Sequence, residues 1–486
     1  MGAICLRNRL SFSVEPAYGR PMTRPLRATA TLLGLLLAGC GGGGKHESGT
    51  TSHGTGSGGS SSHSNGTATS STGTGGAGGC ASCPDGGTGG ADLSVWPNPV
   101  SAANSDPWIV AHHDEIQQMR PRVLGLNFVN GRSNADMEAL FTQIFAGLAE
   151  GSRYHGYKNA SATPFFELSL VRAVDLTDHP VPSGYALHNS TLYPRKPASS
   201  TDYWHFDYAA LFSQAFADRY GFADPQSPGH NLTLCELFER GIIHELWVYG
   251  DADVPDVNAA EVLEHKQTYG TDGKAIAGAF DPCAGNGCFD AGDVPTCKVS
   301  VRIPWVNNTR GPGCLLHSLG HGFEGMSRAA VPYLTDNFTP FADFDLQKHS
   351  NTPFPSWYAC STADCVTFGG PDALTWKVNG GTGALSPYGG RCGSVHFPPN
   401  ARGHYDDQNP FGVLSICEHY GLHDGPGGAD AQELYTNSKS QMYDMLSPDC
   451  EGGWQVYWRQ SFPGLGNKAT GADGAPMKNW WPYEYY

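Results

Sequence analysis

Two histidines and a glutamate recur at helical spacing within the segment LLHSLGHGFE, residues 315–324. On a helix that turns about 100° per residue, His317, His321 and Glu324 fall within about 60° of one another. Histidines at i and i+4 can present two ring nitrogens to one metal ion, and His321 with Glu324 offers a second pair. The three residues span about 10.5 Å of helix axis, so we expect one pair to bind the ion directly. The segment predicts a metal site, with zinc as the ion and Glu324 as the candidate catalytic carboxylate.

A histidine-rich stretch downstream could supply further ligands. His396 and His404 begin the segments HFPPN and HYDD, which are typical of loops, the usual place for functional side chains on a rigid scaffold. We take His396, His404 and Asp406 as possible further ligands. The other members of the stretch are Asp407, Glu418, His419, His423 and Asp424. The alternative interpretation is a polar helix face and exposed loop histidines that bind no metal.

The segment from His317 to Glu324 resembles the active helix of zincin metallopeptidases over about ten residues. That resemblance implies a zinc-dependent hydrolase. The sequence departs from the zincin pattern at Ser318, where the family has a glutamate as general base, and no third ligand follows at the usual spacing. A serine hydroxyl cannot take a proton from metal-bound water at neutral pH.

Other candidate sites have a simpler explanation. Asp251, Asp253 and Asp256 follow an apolar segment, where ligands bind in open α/β sheets, but their spacing does not fit an EF-hand and favours a solvated turn. Ser133 lies between a predicted strand and a predicted helix, which is the position of the catalytic serine in a nucleophile elbow. With Asp136 in the first helical turn, Ser133 is better explained as an N-cap.

Aromatic residues are dense at the C-terminus, in the segment NWWPYEYY of residues 479–486. Such rings could stack on sugars or peptides. We favour the alternative, in which this segment docks onto its own domain and closes the core.

The elements that must position these residues alternate between strand and helix. Apolar runs predict strands at 122–129, 165–174, 242–249 and 298–304. Apolar residues recurring every three or four positions predict helices at 133–150, 208–220, 232–240 and 314–329. This order predicts an α/β fold, a layered mixed sheet flanked by helices. Long loops, rich in Gly and Pro and stapled by disulfides, are expected in the C-terminal half.

The N-terminus has the pattern of an export signal. Arg24 and Arg27 precede the apolar run LLGLLLAGC, residues 32–40, which is too short to span a bilayer. Its last four residues resemble the bacterial lipobox, which implies cleavage before Cys40 and a lipid on that cysteine. The signal is complete from Met22, so we expect translation to start there. The alternative is an ordinary signal peptide in which Cys40 is incidental.

This processing divides the chain into a signal at residues 1–39, a linker at 40–92 and a globular domain at 93–486. The linker is almost entirely Gly, Ser, Thr and Asn, which cannot bury enough apolar surface to fold. Cys80 and Cys83 within it have no strand and helix around them, so a local disulfide is favoured over a redox site. We expect a bacterial cell-envelope protein, tethered by its lipid to the outer membrane or cell surface.

Charge and cysteine content agree with export. Removing five arginines and one glutamate with residues 1–39, from 30 basic and 46 acidic residues, leaves a net charge of −20. Such a balance repels phosphate backbones, so nucleic acid is excluded as a partner, and membrane attachment must come from the lipid. Without Cys5 and Cys40, 12 of the 14 cysteines are left, ten of them in the globular region, which predicts about five disulfides.

Several segments together are similar to uncharacterised secreted bacterial proteins: 122–176, 234–249, 317–324, 396–407 and 479–481. The similarity implies no reaction. Two hypotheses follow for the function. The first is a metal-dependent hydrolase acting outside the cell on peptide or glycan, and the second is a non-catalytic lipoprotein that binds carbohydrate or protein.

The lipid anchor is tested by the substitution Cys40→Ala. Loss of the thiol removes the acylation site, so the protein should move from the membrane fraction to the soluble extracytoplasmic fraction, as measured by fractionation and immunoblotting. Cys5→Ala is the control and should change nothing. Continued membrane attachment of the Cys40→Ala protein would show that the lipobox interpretation is wrong.

Overall fold

The computed structural model describes residues 93–486 except 102–104, 182, 184–187, 198–203, 252–256, 259–261, 343–364 and 379. The predicted signal and linker, with Cys40, Cys80 and Cys83, lie outside the described residues, as do Asp253 and Asp256.

The strands of the described residues are β1 (Val95–Trp96), β2 (Gln118–Met119), β3 (Arg122–Asn127), β4 (Ser169–Asp175), β5 (Arg195–Pro197), β6 (Trp204–Phe206), β7 (Glu245–Gly250), β8 (Val257–Asn258), β9 (Val262–Tyr269), β10 (Ala275–Asp281), β11 (Val301–Asn307), β12 (Val366–Gly370), β13 (Ala373–Val378), β14 (Gly381–Leu385), β15 (Val413–Ser415) and β16 (Glu433–Tyr435). The α-helices are α1 (Ser105–His112), α2 (Asn134–Gly151), α3 (Tyr208–Leu211), α4 (Gln214–Tyr220), α5 (Leu234–Glu239), α6 (Pro312–Gly325), α7 (Pro332–Ala342), α8 (Ser438–Gln441) and α9 (Gly452–Gln460).

A six-stranded mixed sheet forms the centre, in the order β10-β9-β11-β7-β3-β4. Strands β4, β3, β7 and β11 are parallel, whereas β9 and β10 extend the sheet in antiparallel pairs. The layered α/β fold with a mixed sheet is therefore confirmed.

Alternate residues of the central strands pack against two helical layers. Leu246 and Val248 of β7 join the core formed with α3, α4 and α5. Trp247 and Tyr249, which point to the other face, join the core formed with α2, α6 and α9. Because successive side chains of a strand alternate between faces, a continuous apolar run is what a strand buried on both sides needs.

Helix α2 begins where the sequence indicates. The Asp136 N–H donates to Ser133 Oγ, and the Ser133 N–H donates to Asp136 Oδ2 at 2.8 Å, forming a capping box. Ser133 therefore has the structural role of an N-cap.

The antiparallel strands β9 and β10 were not predicted. Strand β9 reads VLEHKQTY, and its polar centre, which includes Glu264, His265 and Lys266, is buried. A polar run without alternation carries no strand signal, because its burial depends on partners from elsewhere in the chain. The helix predicted over 314–329 also differs, since α6 ends at Gly325 and a π-helical turn, Met326–Ala330, leads into α7.

Arg302 of β11 supplies the central partner for these buried charges. Its Nε donates to Glu264 at 2.7 Å, and its other nitrogens contact Glu245 of β7 and Glu484 near the C-terminus. The C-terminal aromatic segment is accordingly docked, with Trp480 and Trp481 buried. The preferred interpretation of that segment is confirmed.

Disulfides staple loops mainly in the C-terminal half. The pairs are Cys235–Cys297, Cys283–Cys288, Cys314–Cys450 and Cys392–Cys417. Cys365 is also disulfide-bonded, whereas Cys360 lies outside the described residues. A small antiparallel sheet, β12-β13-β14, lies in the same half.

None of the helices that the structure describes is long and apolar enough to cross a membrane.

Helix α6 is packed closely at both ends. A Cβ atom added at Gly325 would lie 1.9 Å from the carbonyl oxygen of Ala284, and one added at Gly313 would lie 1.9 Å from that of Asp449. Backbone carbonyls cannot move aside as a flexible side chain can, so these approaches require glycine.

Gly325→Ala is therefore expected to destabilise the protein by about 2 kcal/mol or more, despite the better helix propensity of alanine. The measurement is the free energy of unfolding from urea titration followed by tryptophan fluorescence. Gly292→Ala is the matched control, since a Cβ there meets no atom within 4 Å. Equal stability of the two variants would contradict the close-packing argument.

Candidate metal centre

The start of helix α6 is held by a residue that is distant in the sequence. Its N-cap residue, Gly311, has no side chain to accept from the first N–H groups. Instead, the N–H groups of Gly311 and Gly313 donate to the Asp449 carboxylate at 2.8 and 2.9 Å. The negative charge also complements the helix dipole. The Cys314–Cys450 disulfide fixes the same two segments to each other.

The loop that carries His396 is held by helix α9. Trp454 Nε1, Gln455 Nε2 and Trp458 Nε1 donate to three successive backbone carbonyls, those of residues 394, 395 and 393, at 2.8–3.0 Å. These donors are buried side chains, so the loop has a fixed position relative to α6. The histidine that follows is presented to the helix as part of a rigid frame.

These elements bring His317, His321 and His396 together. One ring nitrogen from each lies within 4.8 Å of the others. Nε2 of His321 and Nε2 of His396 are 3.1 Å apart, and the ring centroids of the three residues are 4.6–5.2 Å apart. Two ligands from one helix and one from a distant loop thus converge on one point.

Glu324 contacts His321 at the nitrogen that faces away from His396. His321 Nδ1 lies 2.8 Å from Glu324 Oε2, and Glu324 Oε1 accepts from the Val395 N–H at 3.1 Å. Both carboxylate oxygens are therefore engaged, and they connect the helix to the His396 loop. These contacts are those of an orienting residue, while a catalytic role for Glu324 stays a prediction.

Glu451 also lies next to the histidine cluster, and the sequence did not predict this position. Its Oε2 lies 3.5 Å from His317 Nδ1, and its side chain is only 6% exposed. Cys450 and Glu451 both have positive φ angles, 46° and 58°. Neither is glycine, and the sequence carries no signal for two consecutive left-handed residues.

Burial affects the pKa of two of the three histidines and of Glu451. It holds the pKa of His317 well below the ordinary value, reinforced by His321 and Arg459. Burial, with the neighbouring histidines, does the same for the pKa of His396. Burial, with repulsion from two aspartates, raises the pKa of Glu451 well above its usual range. Neutral imidazole is the form that binds metal ions.

The other predicted ligands lie beside the cluster. The ring of His404 is 5.3 Å from that of His396, and Tyr405, which is half exposed, packs 4.4 Å from His396. Asp406 accepts from Arg402 through Nε at 2.6 Å and Nη2 at 3.0 Å. Both oxygens of the Asp406 carboxylate therefore accept hydrogen bonds from Arg402.

The rest of the downstream histidine-rich stretch forms a separate network. His419 lies between Asp424 and Glu433, at 2.7 and 2.9 Å, and Glu418 accepts from Tyr457. His423 lies 3.4 Å from Asp430. Asp251 is buried, and its backbone pairs with the Asn189 amide.

A second group, formed by Cys314, Asp449 and Cys450, also has donors close enough for a metal. It is not suited to one, because the two cysteines form a disulfide and Asp449 caps helix α6.

The donor set of the histidine cluster fits a zinc-type ion. Two Zn–N bonds of about 2.0–2.1 Å at a tetrahedral angle place the nitrogens about 3.3 Å apart, close to the 3.1 Å between His321 and His396. In the described part of the chain, no fourth His, Cys, Asp or Glu atom joins the three within the same distance. Three imidazoles are the protein ligand count of one class of catalytic zinc site.

No protein-family model matches the chain, and no curated protein matches it.

The contact with Glu324 should fix the tautomer of His321 as Nδ1–H in metal-free protein, because only that form donates to the carboxylate. Imidazole ¹⁵N shifts measured at mildly alkaline pH test this, and Glu324→Ala should abolish the preference. His112 is the internal comparison: its Nδ1 also lies 2.8 Å from a carboxylate oxygen, that of Glu115, but this pair is more exposed, so competition from water should make its tautomer preference weaker than that of His321. An Nε2–H tautomer at His321 would contradict the assignment.

Proposed function

We propose that His317, His321 and His396 bind one divalent zinc-type ion. The observation that carries this proposal is the convergence of three ring nitrogens within 4.8 Å from a helix and a separate loop. Solvated histidines do not require such a frame, whereas a metal site needs its ligands held in advance. Imidazole donors suit Zn, Cu, Fe and Ni, and the tetrahedral fit favours zinc.

We further propose hydrolysis as the chemistry, in an extracytoplasmic protein anchored by a lipid on Cys40. When bound with an open position, such an ion supplies an activated water at neutral pH and polarises a carbonyl. His317, His321 and His396 would hold it, and Glu324 would orient His321. Peptide or glycan material outside the cell is the proposed substrate class.

The second candidate is a non-catalytic binding lipoprotein that holds a carbohydrate or protein. Ser318, at the position of the zincin general base, is buried and donates to Cys314 O at 3.1 Å, within the helix. A site without a general base lacks a contribution of about 10²–10⁴-fold to the rate, which favours holding an ion over turning over a substrate. The exposed ring of Tyr405 beside the cluster would then serve as a contact surface.

The test is the zinc content of the full-length chain, measured by plasma mass spectrometry after dialysis. Wild type should hold one ion per chain, and His396→Ala or the double variant His317→Ala/His321→Ala should hold almost none. His179→Ala is the control, since that side chain is 72% exposed and lies more than a hundred residues from the three histidines in the sequence. Equal zinc content in wild type and the cluster variants would reject the metal site.

A second measurement separates the two candidates. Peptide and glycan libraries incubated with the zinc-loaded protein should be cleaved, and chelation followed by zinc addition should abolish and restore the cleavage. Binding of library members without cleavage would support the binding lipoprotein.

A further inference from the structure

The position of Glu451 has no structural explanation within its own helix. It occupies the N-cap position of α9, where a carboxylate commonly accepts from the first N–H groups, yet its side chain makes no capping bond. The side chain is directed instead at His317.

The carboxyl group of Glu451 is buried without a hydrogen bond to any described residue. Among the residues that the structure describes, neither Oε1 nor Oε2 of Glu451 has a hydrogen-bond partner. A buried carboxyl group without a hydrogen bond is costly in free energy, and two consecutive non-glycine residues at positive φ add to that cost. Features that oppose stability in this way are concentrated at functional sites.

We infer that Glu451 is a positioning residue for the metal centre, orienting His317 through Nδ1 as Glu324 orients His321. This inference rests on the proposed metal site. Histidine ligands commonly donate their second ring N–H to a carboxylate, which fixes the tautomer and raises the basicity of the ligating nitrogen. The 3.5 Å separation is longer than a hydrogen bond, so this contact would have to shorten when an ion binds His317.

The disulfide explains how Glu451 reaches this place. Cys450 is bonded to Cys314, one turn before His317 on α6, so the adjacent residue is held over the same helix face. The left-handed conformation at both positions then turns the Glu451 side chain toward the imidazole. With Nδ1 of His317 facing Glu451, Nε2 is the nitrogen left for the ion.

The experiment measures zinc affinity by competition with a chromogenic chelator, in full-length wild type, Glu451→Gln and Glu451→Ala. Loss of an orienting carboxylate typically costs about 10–100-fold in metal affinity, so Glu451→Ala should bind zinc that much more weakly. Glu451→Gln should be intermediate, since its amide oxygen still accepts from Nδ1. Asp407→Asn is the matched control: it removes a neighbouring acid that repels Glu451, and affinity should not fall.

Stability separates a positioning role from a structural one. Because the carboxyl group is buried without a hydrogen bond in the described part of the chain and glutamine has nearly the same shape, zinc-free Glu451→Gln should unfold at about the same urea concentration as zinc-free wild type while binding zinc more weakly. A structural role would lower both together and would overturn the inference.

The remaining outcomes are distinct. Wild-type affinity in Glu451→Ala would assign the orientation of His317 to another group, such as the Cys450 carbonyl, and overturn the inference while leaving the metal site intact. X-ray absorption showing an oxygen ligand that disappears in Glu451→Ala would make Glu451 a direct ligand and also overturn it. Failure of the metal site itself would appear as an absence of bound zinc in wild type.

Discussion

The close packing of helix α6 on all sides is the constraint on which the rest of the structure depends. Glycine is a poor helix former, and this helix contains four glycines between Pro312 and Gly325. Its stability must therefore come from tertiary contacts. Those contacts approach so closely at Gly313 and Gly325 that the neighbouring backbone carbonyls leave no room for a Cβ. A helix held in this way presents its remaining side chains in fixed directions.

Helix α6 also separates two kinds of buried polar structure. Beside Gly322 lie Arg302 and Glu264, members of the ion cluster that joins β7, β9 and β11 to the C-terminal segment. Beside His321 lie His317 and His396, the other two members of the histidine cluster. In the ion cluster each carboxylate has a cationic partner, which makes burial tolerable. In the histidine cluster, the carboxyl group of Glu451 has no cationic partner and no hydrogen bond among the described residues, and this difference distinguishes a structural network from a candidate functional site.

Local signals were sufficient for much of the fold. The capping box of Ser133 and Asp136 and the apolar runs of β3 and β7 specify their elements within a few residues. Strand β9 could not be found in this way, because Glu264 and Lys266 are buried only by virtue of Arg302 and the C-terminal backbone. The same limit applies to the site. The i, i+4 spacing indicated His317 and His321. It could not show which of the eight downstream candidates joins them, because His396 is brought to the helix by the hydrogen bonds of α9 to the backbone of residues 393–395.

The sequence by itself determined the class of fold, the helix face that carries His317, His321 and Glu324, and the even number of cysteines after residue 40. These follow from periodicity and composition, which act over a few residues. Only the tertiary structure decided that His396 completes the cluster, that Asp406 is committed to Arg402, and that Glu451 faces His317. The first and the last of these outcomes join segments far apart in the chain, and the Asp406–Arg402 contact depends on how one loop folds back on itself. Packing, disulfides and backbone conformation set these contacts, and they leave no local sequence pattern.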